Sequence, residues 1–230
     1  MTIQIASFWD SGALGLLIKG GWFMLPILIL GVLAVAVIIE RYRSLKILDK
    51  RADKIREEVI GEISKGNFEQ AIQVCDDTRG PVAAVIEHGL RKYLVYDELD
   101  YEPARIEEQV TKSMEAYGVN VVAALERHIP ILATISSVAP MLGFLGTVVG
   151  MIGSFKNIVE TMGQVNIVEA AASGIETALL TTAFGLIVGI PSYMAFNYFM
   201  STINNFVLEV EQSAAELIEA VSVKLTLSGD

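Results

Sequence analysis

Thr147, Thr181 and Thr182 stand inside long uncharged runs of the chain, where a hydroxyl has little water to bond. A side chain that both donates and accepts can lend a hydrogen-bonded path to water or protons in such surroundings. The alternative is local: a threonine in an apolar helix commonly bonds the carbonyl one turn before it. The residues around these threonines are small and recur every three or four positions. One run carries Ser136, Gly143, Gly146, Thr147, Gly150 and Ser154; a later one carries Gly174, Ala178, Thr181, Thr182, Gly185, Gly189 and Ser192. Each helix formed by these runs therefore bears one small, weakly polar face, which close packing of helices in lipid explains without any chemistry. Both readings stand at this level.

The groups that relay protons or hold ions in membranes are carboxylates, lysines and histidines. None lies in the first of these runs or in the middle of the second, so a proton path here needs a titrating group from another chain. Glu176 is the exception, one or two turns into the later helix. It serves equally as an interfacial carboxylate close to a positive helix N-terminus.

The elements that must carry these faces span a membrane. Of 230 residues, 53% are hydrophobic, and mean hydropathy is +0.51. Three uncharged stretches reach the roughly 20 residues needed to cross the hydrocarbon core as helix: residues 20–39, 129–155 and 177–208, the third expected to cross as a helix over 170–200. The expected fold is an all-α integral membrane protein with three transmembrane helices and long cytoplasmic helical extensions. Arg41, Arg43, Lys46, Lys50 and Arg51 follow the first span, whereas Lys156 alone stands between the second and third. By the positive-inside rule, residues 40–128 are cytoplasmic, residues 1–19 and 156–169 are periplasmic, and the C-terminal helix at 201–230 is cytoplasmic. The first apolar run lacks a basic leader and a small-residue cleavage site, so it is expected to remain as an anchor. The first thirteen residues suit a short interfacial helix or a frayed terminus equally.

Between the first two spans the pattern is helical. Asn67 with Gln70 resembles a helix cap, and Gly80-Pro81 breaks one helix and restarts another. From Ile106 through Val110, Met114, Tyr117, Val121 and Leu125, apolar residues recur at helical spacing, predicting a helix that runs into the second span with a kink at Pro130. Val207, Val210, Ala214, Leu217 and Val221 form a similar stripe with glutamates opposite.

Little points to an enzyme. No phosphate-binding loop, dinucleotide fingerprint, zinc-protease motif or paired cysteines occur, so no catalytic, cofactor or metal residues are expected. The acidic stretch Asp97, Glu98, Asp100, Glu102 lacks the ligand order and glycine of a calcium loop. Cys75 is a small buried residue, and His88 and His128 have structural roles. A net charge of −10 disfavours a nucleic-acid partner.

From Leu125 the chain reads LERHIPILATISSVAPMLGFLGTVVGMIGSF, and from Gly174 it reads GIETALLTTAFGLIVGIPSYMAFNYF. In APMLGFLGTVVGM and ALLTTAFGLIVGIP it resembles the MotA/TolQ/ExbB proton channel family; the first 125 residues are similar in layout alone. The resemblance implies a homopentamer in the bacterial inner membrane. Its second and third helices line a central pore around a single-span partner of the ExbD or TolR type, whose membrane aspartate carries the proton, acting on a TonB- or TolA-like protein. It implies pore-facing roles for Thr147 and Thr182, the latter beside that aspartate, and packing or hinge roles for Pro140, Gly143, Gly146, Gly150, Gly185 and Pro191. The family's usual GIxEALxxTA differs here: Thr177 occupies the glutamate position and Glu176 lies one residue earlier, about 100° around the helix. Three spans resemble ExbB or TolQ more than the flagellar stator subunits. LERHIP leans to TolQ and Gly66-Asn67-Phe68-Glu69 to ExbB, which is preferred.

Overall fold

The computed structural model describes residues 15, 20–46, 52–78, 80–99, 101–160 and 167–228. Regular structure among them is entirely helical, in seven elements: α1 (Met24–Leu45), α2 (Ala52–Lys65), α3 (Phe68–Thr78), α4 (Pro81–Glu98), α5 (Pro103–Glu126), α6 (Ile129–Glu160) and α7 (Ile167–Ser228). The interfacial-helix reading of the first thirteen residues lies outside the described residues. Among the described residues three helices are long and apolar enough to cross a membrane: α1, α6 and Ala171–Ser222 of α7. The chain divides into two compact units, Met1–Glu40 with His128–Asn197, and Arg41–Arg127 with Tyr198–Asp230.

In the second unit the helix ends follow from backbone chemistry. α2 stops at Gly66, whose φ of 87° suits a residue without a Cβ. Gly66 N–H donates to Ile63 O and Asn67 N–H to Glu62 O, both at 2.9 Å, which satisfies two carbonyls of the last turn in a Schellman arrangement. Asn67 then leads into α3, its side-chain amide donating to Glu62 at 3.1 Å. Pro81 and Pro103 open α4 and α5, where a missing N–H costs nothing. The core joins Ile55, Val59 and Ile63 of α2, Ala71 and Cys75 of α3, Val85, Ile86 and Leu90 of α4, and Ile106, Val110 and Met114 of α5. Phe206, Val210 and Leu217 from α7 are buried in this unit as well. Tyr117 continues the predicted stripe and stacks on His88, ring centroids 4.7 Å apart, giving that histidine its structural role.

One sequence expectation changes. The helix through Ile106 and Leu125 does not run on into the second span: α5 ends at Glu126, and α6 begins at Ile129 after two turn residues. Pro130 has no N–H to offer the carbonyl of Glu126, so the ladder breaks a turn ahead of the proline, where the sequence had suggested a kink.

In the first unit large side chains point both ways. Met24, Ile27 and Ala34 of α1 are buried with Leu132, Ile135 and Ala139 of α6, while Leu28, Val32, Phe144, Met151, Ile187 and Ile190 are exposed. Apolar surface on this scale is what helices present to lipid or to neighbouring subunits.

Candidate functional site

The small residues predicted to share faces meet along the seam between α6 and α7. A Cβ added at Gly185 would sit 2.7 Å from Ala139 O and 3.1 Å from Gly143 Cα; one at Gly143 would sit 2.9 Å from Thr181 O and 3.1 Å from Thr182 Cα. The two backbones touch here, and no side chain fits between them. Toward the C-terminal end of α6 the seam continues with Gly146 against Thr181 and Gly150 against Ala178. A Cβ at Gly174 would collide with the Ser154 hydroxyl, and one at Gly189 would meet the Pro140 ring at 2.6 Å. Pro140 cannot donate to Ser136 O, and Gly189 lets α7 approach that carbonyl. Pro191 lies inside α7 two residues beyond Gly189 and is exposed.

The three threonines occupy different environments. Thr181 is 1% exposed, donating to Thr177 O of its own helix at 2.8 Å and lying 3.4 Å from Gly20 O. It fills the seam against Gly146 and is closed in within this chain. Thr182 is half-buried, and its hydroxyl donates across the seam to Gly143 O at 3.3 Å. Thr147 is half-buried too, bonding Phe144 O at 2.6 Å.

Helix geometry places Thr147 and Thr182 together. At about 100° per residue, Thr147 lies about 40° past Gly143 on α6, and Thr182 lies about 60° from Gly185 on α7. Because Gly143 packs on Gly185 between helices that run in opposite directions, both offsets turn to the same edge of the pair, and the two residues lie at nearly the same level along it. The other edge is occupied by α1: Gly31 meets Val188, Phe23 approaches Gly146, and Gly20 and Gly21 approach Thr181 and Thr177. So the edge away from α1 carries two hydroxyls between exposed Phe144, Met151, Leu179 and Leu186. No Asp, Glu, Lys, Arg or His stands on α6 between Ile129 and Phe155, or on α7 between Thr177 and Leu208.

Glu176 falls elsewhere. It is exposed and lies about 180° around α7 from Gly185, on the side facing away from α6, about 120° from Thr182. The one-residue offset from the GIxEAL pattern thus has a geometric consequence: Thr177, in the glutamate's place, turns toward Gly21, just ahead of α1.

Sequence reasoning missed the part played by α1 and the turn before it, for which Gly20, Gly21 and Gly31 were the available signal. It also missed the pairing of His128 with Glu40, where the imidazole Nδ1 lies 2.8 Å from a carboxylate oxygen. Charge at the two ends of neighbouring apolar runs was visible, but its register was not.

Three apolar helices, two of them in backbone contact along glycines, define a multi-pass helical membrane protein. The family model described as the MotA/TolQ/ExbB proton channel family matches residues 77–212, more than half of the 230 residues, and the chain belongs to that family. The match covers both helices of the seam and much of the second unit.

Proposed function

We propose that this chain is the channel subunit of a proton-driven motor of the ExbB–ExbD–TonB kind in the bacterial inner membrane, and acts without catalysing a chemical step itself. In this reading it forms a homopentamer with the Thr147 and Thr182 edges lining a central pore. The pore encloses the membrane helix of a small ExbD- or TolR-like partner, whose aspartate accepts and releases the proton. Proton flow moves the partner, and a TonB- or TolA-like protein passes the motion to an outer-membrane process such as import. The N-terminus is periplasmic and the C-terminus cytoplasmic, in keeping with the basic residues after the first span.

The observation that carries this reading is the edge opposite α1, which bears two threonine hydroxyls and no titratable group. A wall of that kind can hydrate and position an acid supplied by another chain, but it cannot shuttle protons alone. Thr182 takes the central role because its hydroxyl is held at the seam by Gly143 O. Thr181 serves packing, and Glu176 contributes outside the pore-lining edge. Thr182→Val nearly preserves volume and removes the hydroxyl; it should leave assembly intact and abolish energy transduction. Wild-type transduction in that variant would reduce the seam to packing. Failure of the purified chain to co-assemble with an aspartate-bearing, single-span protein of the same cell would also sink the proposal.

The LERHIP run favours a second assignment, a TolQ-like subunit acting through TolR and TolA; a stator for gliding or flagellar motility follows the same physics. The glycine contacts alone would suit a passive membrane scaffold. Proton flux in vesicles with and without the partner separates channel from scaffold, since a scaffold shows no partner-dependent flux.

A further inference from the structure

A cavity of about 410 Å³ opens between the last turn of α1 and the α7 segment that begins at Tyr198, both within the second unit. Its position in the sequence is the first clue. Tyr42 and Lys46 follow the 20–39 apolar run by one or two turns, and Tyr198 closes the uncharged aromatic stretch of α7. Tyrosines at the ends of spans settle at the level of lipid head groups, where one end of the ring is apolar and the other wet.

The walls are graded in the same sense. Leu45, Phe199 and Phe206 form a buried apolar floor. Around it Tyr42, Tyr198, Lys46, Ser201 and Asn205 are exposed, so hydroxyl, amide and ammonium donors ring an apolar base. Lys46 makes no ion pair with another described residue. The remaining wall is Glu209, whose carboxylate has about four acceptor sites and so can take a further donor beside the partners it already has. One cation and one carboxylate in a single cavity fit a ligand that carries both charges and is half apolar.

We propose that this cavity seats the head group of a zwitterionic phospholipid, with Lys46 and the hydroxyl and amide donors on the phosphate, Glu209 on the ammonium, and the glycerol region over Phe199 and Phe206. The site depends on the chain being a membrane protein and is independent of the proton path, so it survives failure of the channel reading.

Native mass spectrometry of the purified full-length assembly, delipidated and supplied with phosphatidylethanolamine or phosphatidylglycerol of the same acyl chains, tests it. Wild type should retain phosphatidylethanolamine in preference, and Lys46→Gln should weaken that retention about tenfold, the scale of one charge-assisted hydrogen bond. Glu209→Gln should abolish the preference for phosphatidylethanolamine, because the ammonium loses its carboxylate partner while the phosphate common to both lipids keeps Lys46. Both residues lie on the rim, and unchanged melting of the variants would show that the fold is kept. Equal retention of the two lipids by wild type, or retention unaltered in both variants, overturns the proposal. Competition by soluble phosphoethanolamine as strong as by the lipid also overturns it, since the site would then be one for a free phosphate ester.

Discussion

The seam of the first unit and the core of the second both bury glycine on a helix, yet they bury it against different things. At Gly143 and Gly185 the neighbours are backbone atoms of the facing helix; at Gly89 they are the Met114 thioether and the Leu217 methyls. The contrast is the one expected of a first unit in lipid and a second unit in water, as in the proposed topology. In lipid, large apolar side chains gain nothing by leaving their surroundings for a protein interface, so helices associate through close backbone contact and dispersion. In water, burial of Leu, Ile and Met drives packing at roughly 25 cal/mol per Å², and large side chains fill the interior. The seam is therefore a rigid fit without adjustable parts, and the aqueous core is a fit with a flexible methionine in it.

Substitution at the seam should have the largest effect. In Gly185→Val the new Cβ meets Ala139 O at 2.7 Å, and a carbonyl in a helix cannot rotate away. The helices must separate, at the upper end of the about 1–3 kcal/mol typical of overpacking or beyond it. Loss of the proposed oligomer on size-exclusion chromatography in detergent is the expected result. Gly153→Val, on the partner helix α6 with nothing within 4 Å of the added Cβ, is the control and should assemble normally. If Gly185→Val assembles as well as the control, the backbone contact is not what holds α6 to α7.

Gly89→Ala comes next. The added methyl lies 2.5 Å from Met114 Sδ and 3.1 Å from Leu217 Cδ2, both side-chain atoms, and methionine can change rotamer. Gly-to-Ala in a helix interior gains roughly 0.5–1 kcal/mol, which offsets part of the repacking. A melting shift of only a few degrees is expected for the helical unit. A collapse comparable with Gly185→Val would mean that the aqueous core is as unyielding as the seam.

How much of this was legible in the sequence also divides along the two regions. The small-residue faces, the three apolar runs and the stripe at Ile106, Val110 and Met114 all follow from periodicity, because helical spacing decides which residues share a side. That Thr181 closes the seam while Thr182, its immediate neighbour, reaches its edge was not legible. Adjacent residues differ by about 100°, and only the docking of Gly143 on Gly185 fixes which one faces in. The position of Glu176 behaves the same way: the one-residue offset was visible, and its outcome depended on where α6 lies. The break at Arg127 was hidden because Pro130 marks a disruption without saying whether the helix bends or stops.

Cys75 offers the smallest effect and the finest resolution. It is buried in α3, and burial, with Glu87 and Asp76 nearby, pushes its thiol up to about 12. An unfolded cysteine titrates near 8.5, so the folded state favours the protonated thiol. That contribution to stability is whole below about pH 8.5 and is lost as pH rises from there toward 12. At pH 8 the thiolate is the reactive form, so the native chain should resist alkylation and label only as the helical unit opens. Urea weakens hydrophobic burial and acts less on a seam held by backbone contact in detergent or lipid. Labelling of Cys75 should therefore begin at a urea concentration that leaves the oligomer intact, and a modest rise in that rate in Gly89→Ala would mark the core as the softer of the two regions. Labelling that coincides with loss of the oligomer would mean the two regions open together, and the contrast drawn from their glycines would not extend to their stability.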